Sequence, residues 1–249
     1  MKIINEINKF YKIYPKQKSS VNLANLWRYI FINPISIIVA FILTFFKIKP
    51  ITITLVSFII GLFALYNLFN SNFLLGSILL NISYLFDCVD GHLARYYNAT
   101  SMRGQFFDDV SGIIIWTFAW PCLGFGLYFY PDVGFQSLFY ELSGYEFNNI
   151  FFILLGLVAG FCNELRTLIS FKFLQIKKNI SQKELSKNKY ESRGFIYTLY
   201  KNVISVGGLV APIFIISSLL NINGFILLIY FSIYLLVFTF YSLIYYFRL

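Results

Sequence analysis

The chain has 249 residues, of which 58% are hydrophobic, 21% aromatic and only 12% charged, with a net charge of +9. A water-soluble domain carries roughly 25% charged residues, so a wholly aqueous surface is excluded and lipid must solvate much of the protein. The basic excess points to a membrane surface and not to nucleic acid, because Lys and Arg gather on the cytoplasmic loops of membrane proteins.

In chain order, Met1–Ser20 is polar and Lys-rich. It has no apolar run ending in small residues, so no cleavable leader is expected there. Leu23–Phe46 is apolar but interrupted by Asn25, Arg28, Asn33 and Pro34. It is expected to form an amphipathic helix along the cytoplasmic interface, with Trp27, Tyr29 and Phe31 near the headgroups. Six segments then approach the roughly 20 apolar residues a crossing helix needs. They are Ile51–Phe69, Phe73–Tyr96, Gly104–Phe129, Ile150–Phe173, Asn202–Leu220 and Gly224–Phe247. Asn70–Asn72 and Asn221–Asn223 read as short turns. Pro121 and Pro212 fall inside spans and are expected to kink them, with neighbouring helices satisfying the freed carbonyls. Lys177–Arg193 reads as a solvated basic loop drawn to anionic lipid. Cys88, Cys122 and Cys162 lie in apolar runs without CxxC spacing, which gives neither a disulfide framework nor a zinc site.

The expected fold class is all-α: a polytopic membrane protein of six transmembrane helices preceded by an interfacial amphipathic helix. Residues 1–50 form its cytoplasmic N-terminal part and residues 51–249 its membrane domain. The charges support this layout. Eight Lys and Arg lie in residues 1–51, Arg95 and Arg103 flank the turn between the second and third spans, nine lie from Arg166 to Lys201, and Arg248 ends the last span. The opposite side carries Asp132, Glu141 and Glu146. Both termini are therefore expected in the cytoplasm, in a bacterial-type inner membrane.

Ionisable residues inside spans are costly and mark function. Here they concentrate in Asp87-Cys-Val-Asp90-Gly91-His-Leu-Ala94-Arg95 and, eight residues on, Gly104-Gln-Phe-Phe-Asp108-Asp109. Asp87 and Asp90 share one helix face at i, i+3. Asp108 lies one turn into the next helix, so a short turn can bring the three carboxylates together. Such a group calls for a hard cation, and oxygen-only ligation suits Mg²⁺, Mn²⁺ or Ca²⁺. Gly91, Ala94 and Gly104 leave room for close approach, and Arg95 offers a planar donor for phosphate. These parts describe a metal-bound diphosphate site. The alternative, a buried salt-bridge network of the acids with Arg95 and Arg103, would keep costly charge in the membrane without use.

The segment resembles the CDP-alcohol phosphotransferase (CDP-alcohol phosphatidyltransferase) family, whose motif reads D-x2-D-G-x2-A-R-x8-G-x3-D-x3-D. Asp87, Asp90, Gly91, Ala94, Arg95, Gly104 and Asp108 stand at its first seven positions. Pro34-Ile-Ser36 and Lys49-Pro50-Ile-Thr-Ile-Thr54 look like the family's approach to its first span. The resemblance implies transfer of a substituted phosphate or phosphonate from a CDP-linked alcohol donor to a hydroxyl-bearing acceptor. CMP is released, and the setting is phospholipid or related lipid and glycan biosynthesis. It implies a two-metal Mg²⁺ or Mn²⁺ site held by Asp87, Asp90 and Asp108, a nucleotide pocket shaped by Gly91, Ala94, Arg95 and Gly104, membrane lipids as partners, and a homodimer.

The eighth motif position is Gly112, where the family has the aspartate that resembles a general base and second-metal ligand. The second metal is accordingly in doubt. Asp109 and Glu164 are the candidate replacements: the first is adjacent but about 100° around the helix from Asp108, the second lies in the fourth span. His92, in a variable motif position, is expected to be a surface or headgroup contact. Gly112 also leaves open a silent homologue that binds CDP-alcohol or lipid without turnover. A transporter built on intramembrane acids is disfavoured, since the acids gather at one end of their helices.

Overall fold

A computed structural model of the chain describes residues 25–180, 202, 203 and 205–248. Met1–Ser20 and the part of the basic loop after residue 180 lie outside the described residues. Among the described residues all regular structure is helical. Helix α1 spans Arg28–Phe45, α2 Pro50–Phe69, α3 Phe73–Tyr96, α4 Met102–Phe129, α5 Val133–Ser143, α6 Ile150–Ile180, α7 Val206–Leu220 and α8 Asn223–Arg248. Four of these, α1 to α4, are long and apolar enough to cross a membrane.

The helix ends follow from local chemistry. Pro50 opens α2 behind an extended Lys49, a position where the missing N–H costs nothing. Ser101 caps α4 by accepting the Gly104 N–H at 3.1 Å. Two prolines interrupt regular winding. The turn before Pro34 is widened to π geometry over Arg28–Ile32, and the turn before Pro212 likewise over Val206–Val210, where Gly208 leaves helical geometry altogether. In each case proline has no N–H for the carbonyl four residues back. Pro121, by contrast, lies inside the continuous helix α4.

Helix α2 packs along α3 and α4, α4 along α6, and α6 along α8, while α1 and α7 lie against α3. The α4–α6 contact is a close backbone approach. A Cβ at Gly160 would stand 2.6 Å from the Thr117 carbonyl, and one at Gly156 2.5 Å from that of Trp120. The Thr117 carbonyl is the one Pro121 cannot bond, so α6 covers the gap. Small residues four apart are the usual means of such an approach between apolar helices. Trp120, buried, packs its ring against those of Phe214, Tyr230 and Tyr234, the last edge-on, and joins α4, α7 and α8.

Helix α5 was not expected from the sequence. Phe135 anchors it among Phe147, Phe152 and Phe225, and Gly144 ends it at φ 72°. Helix α1 runs antiparallel to α3: the Trp27 indole donates to Asn81 at 3.1 Å near one end, and the Tyr97 hydroxyl donates to the Thr44 carbonyl near the other. Its inner face buries Asn33 and Ser36, while Ile30, Ile35, Ile38 and Ile42 face outward. That polarity is the reverse of a water-facing helix and suits lipid contact.

Candidate active site

The motif residues are carried by the last half of α3 and the first turns of α4. These helices barely touch one another, and both pack against α2. The arrangement leaves a cleft floored by the start of α2. Across it the Asp87 and Asp108 carboxyls stand in hydrogen-bonding contact. Asp90, one turn further along α3, is 4% exposed, with Thr54 of α2 in hydrogen-bonding reach.

Arg95 is aimed by a relay. Its Nη2 donates to His92 Nδ1 at 3.0 Å, which leaves His92 Nε2 to donate to Ser36 Oγ at 3.2 Å; Ser36 in turn donates to the Asn33 carbonyl at 3.0 Å. His92 is therefore not a surface or headgroup contact. It is buried and ties Arg95 to α1, because its helical position faces α1 and not lipid. The Arg95 guanidinium lies over Gly91, where a Cβ would be in ordinary contact with it, 3.4 Å from Nη1.

Three cavities meet these residues. One of about 740 Å³ is lined by Asp90, Gly91, Ala94, Arg95, Gly104 and Asp108, together with Lys49, Thr54, Ser101 and Gln105. A second, of about 130 Å³, holds Asp87, Tyr84, Ser57, Ser83, Ser111 and Gly112. A third, of about 240 Å³, also reaches Gly112 and continues to Asn163, Glu164, Ser205, Trp120 and Tyr234. The second and third share Gly112, Trp116 and Val206. Gly112 thus sits where the acidic cleft opens toward α6 and α7, and a Cβ there would meet nothing within 4 Å. Glu164 lines that opening. Asp109 is exposed and lines none of the three.

Among the described residues no three His, Cys, Asp or Glu side chains are gathered as a ready-made metal cage. The donor set nevertheless fits a hard cation. Asp90 Oδ2 and Asp108 Oδ1 are buried without a hydrogen-bond partner, and buried polar atoms are rarely left so without reason. Two carboxyls in contact likewise require a proton or a cation between them. Asp87, Asp90 and Asp108 are the residues that would hold it.

One site feature lay beyond sequence reasoning. Arg28, at the start of α1, hydrogen-bonds the Tyr84 hydroxyl and lies within electrostatic reach of Asp87 and Asp108. No motif spacing announces it, because it joins from an element far earlier in the chain.

The model of the CDP-alcohol phosphatidyltransferase family matches residues 37–189, more than half of the chain. The chain belongs to the CDP-alcohol phosphatidyltransferase family. No curated protein matches it. Membership assigns the class of chemistry, transfer of a phosphate-linked group from a CDP-alcohol. With the four long apolar helices it also marks an integral membrane protein. The phosphatidyltransferase match takes in α2 to α6, hence every motif residue and Glu164, while Arg28 lies ahead of it.

Proposed function

We propose that the protein is a membrane transferase that moves a substituted phosphate or phosphonate from a CDP-linked alcohol to an acceptor hydroxyl and releases CMP. The observation that carries this reading is the cavity of about 740 Å³ lined by Asp90, Gly91, Ala94, Arg95, Gly104 and Asp108. It joins an anion-binding guanidinium to carboxylate oxygens that lack partners. The donor diphosphate lies along this cavity with Arg95 on its phosphate oxygens. A divalent ion, Mg²⁺ or Mn²⁺, held by Asp87, Asp90 and Asp108 would supply charge neutralisation at the phosphates.

The acceptor arrives through the opening at Gly112. Its hydroxyl oxygen bonds to the β-phosphorus while the bond from that phosphorus to CMP breaks, and CMP leaves with the electron pair. Glu164 takes the hydroxyl proton, directly or through water, since it lines the opening and Asp109 does not. The site lies on the cytoplasmic side, with six crossings and both termini there, as the one-sided distribution of Lys and Arg supports.

The test is CMP release by purified protein from a panel of CDP-alcohols and hydroxyl acceptors with Mg²⁺ or Mn²⁺. Release that disappears in Asp87→Asn is the expected result; no release from any pair, with Asp87→Asn indistinguishable, sinks the reading. Gly112 favours a second reading, a silent binder of CDP-alcohol. That reading expects CDP binding without turnover and a gain of CMP release in Gly112→Asp, which the open space at that position accommodates.

A further inference from the structure

We propose that the Arg28 guanidinium is a fixed cation of this site, taking the charge role of a second divalent ion, so that each chain binds one divalent ion and not two. The inference rests on the proposed metal-bound diphosphate site and deepens it.

Charge and space set up the problem. The cleft presents Asp87, Asp90 and Asp108, and the position that faces the cleft one turn after Asp108 is Gly112, with open space around it. A second divalent ion beside Gly112 would have no carboxylate of its own there. It would have to share oxygens that the first ion already needs, and small hard cations hold poorly without enough oxygen ligands. One divalent ion and the Arg28 guanidinium, by contrast, balance the three carboxylates, which leaves the Arg95 charge for the donor's phosphates.

The placement of Arg28 is built and not incidental. Its guanidinium bonds the Tyr84 hydroxyl, one turn before Asp87 on the same helix, and Tyr84 shares a cavity with Asp87 and Gly112. Three neighbouring contacts fix the start of α1. The Leu26 N–H donates to Asn202 Oδ1 at 2.9 Å, the Ser205 hydroxyl to Asn25 Oδ1 at 3.1 Å, and the Trp27 indole to Asn81. Gly207 permits the approach: a Cβ there would lie 2.8 Å from the Tyr84 hydroxyl and 3.3 Å from Arg28 Cβ. Arg28 lies within electrostatic reach of Asp87 and Asp108, so its charge offsets theirs without lining the cavity of about 740 Å³. An arginine suits this role because its charge is permanent and its donors are several.

The experiment counts Mn²⁺ per chain, by electron paramagnetic resonance of free Mn²⁺, and measures CDP affinity at saturating Mn²⁺. It uses the full chain in detergent, with Arg28→Gln, Arg28→Lys and Gly112→Asp as variants. Expected are one Mn²⁺ in the natural chain and two in Gly112→Asp. CDP should bind about tenfold or more weakly in Arg28→Gln, the loss of one positive charge beside the carboxylates that hold the ion, with part restored in Arg28→Lys. Loss of the Tyr84 contact alone would not be repaired by a lysine's charge beside the carboxylates. Two Mn²⁺ in the natural chain, or unchanged CDP affinity in both Arg28 variants, overturns the proposal. No bound Mn²⁺ at all removes the carboxylate site itself, and so separates failure of that reading from failure of this one. If Arg28→Gln does not fold, the natural chain's Mn²⁺ count and Arg28→Lys still decide.

Discussion

Gly112 of α4 and Glu164 of α6 line one cavity of about 240 Å³. On the proposed mechanism the acceptor's proton goes to Glu164. Glu164→Gln should lower the rate of CMP release by roughly 10² to 10⁴, the usual cost of a lost general base, with donor affinity little changed. Asp109→Asn should leave the rate within a few-fold, because Asp109 is exposed and outside the cavities. Steady-state rates at saturating donor check both; a larger loss in Asp109→Asn reverses the assignment.

Gly112 has no packing role. Gly112→Ala should keep the fold and raise stability by about 0.5–1 kcal/mol, since glycine inside a helix costs that much relative to alanine, and no atom lies within 4 Å of the added Cβ. Thermal unfolding in detergent is the measurement. A lower midpoint than the natural chain would show that the position is packed after all.

Gly160 is the opposite case. Gly160→Leu should destabilise by about 1–3 kcal/mol or more, because the added side chain meets the Thr117 backbone and the Pro121 ring, neither of which can swing away. Gly134→Leu is the control, as its surroundings are open. Equal unfolding midpoints for the two variants would contradict the close α4–α6 contact.

Asp132 gives a pH dependence. It lies between α4 and α5, buried, and accepts the Gly224 N–H at 2.5 Å at the start of α8. Desolvation raises its carboxyl above the ordinary value, only partly offset by the hydrogen bond from the Gly224 N–H. A carboxyl raised on folding contributes stability that is full below the unfolded value. That stability is lost as pH rises through the folded value. The unfolding midpoint should therefore fall as pH climbs through and above the usual carboxylate range. Asp132→Asn should flatten that slope while keeping an oxygen for Gly224. An unchanged slope in the variant would clear Asp132 of the effect.

The acidic motif was legible because it is local: Asp87, Asp90, Gly91 and Arg95 lie within three turns of one helix, and Gly104 and Asp108 begin the next. The α2 to α4 boundaries came within a turn for the same reason. Helix α5 was missed although Asp132 before it and Gly144 after it are ordinary start and stop signals; it is 11 residues long and held by the single buried Phe135, so it carries no long hydrophobic run. Arg28, the burial of His92 and the shared cavity at Gly112 were not legible. Each depends on helices distant in sequence packing side by side, which spacing within one segment cannot encode.

At the centre of the proposed function is a CDP site that needs a divalent ion and the α3 carboxylates. Calorimetric titration of CDP into the purified chain tests it most directly, with Mn²⁺, with chelator, and with Asp90→Asn, whose unpartnered oxygen should belong to the ion. Saturable binding with Mn²⁺ is expected, lost with chelator and weakened at least tenfold in Asp90→Asn. CDP binding of equal strength under all three conditions would contradict it, as would none under any.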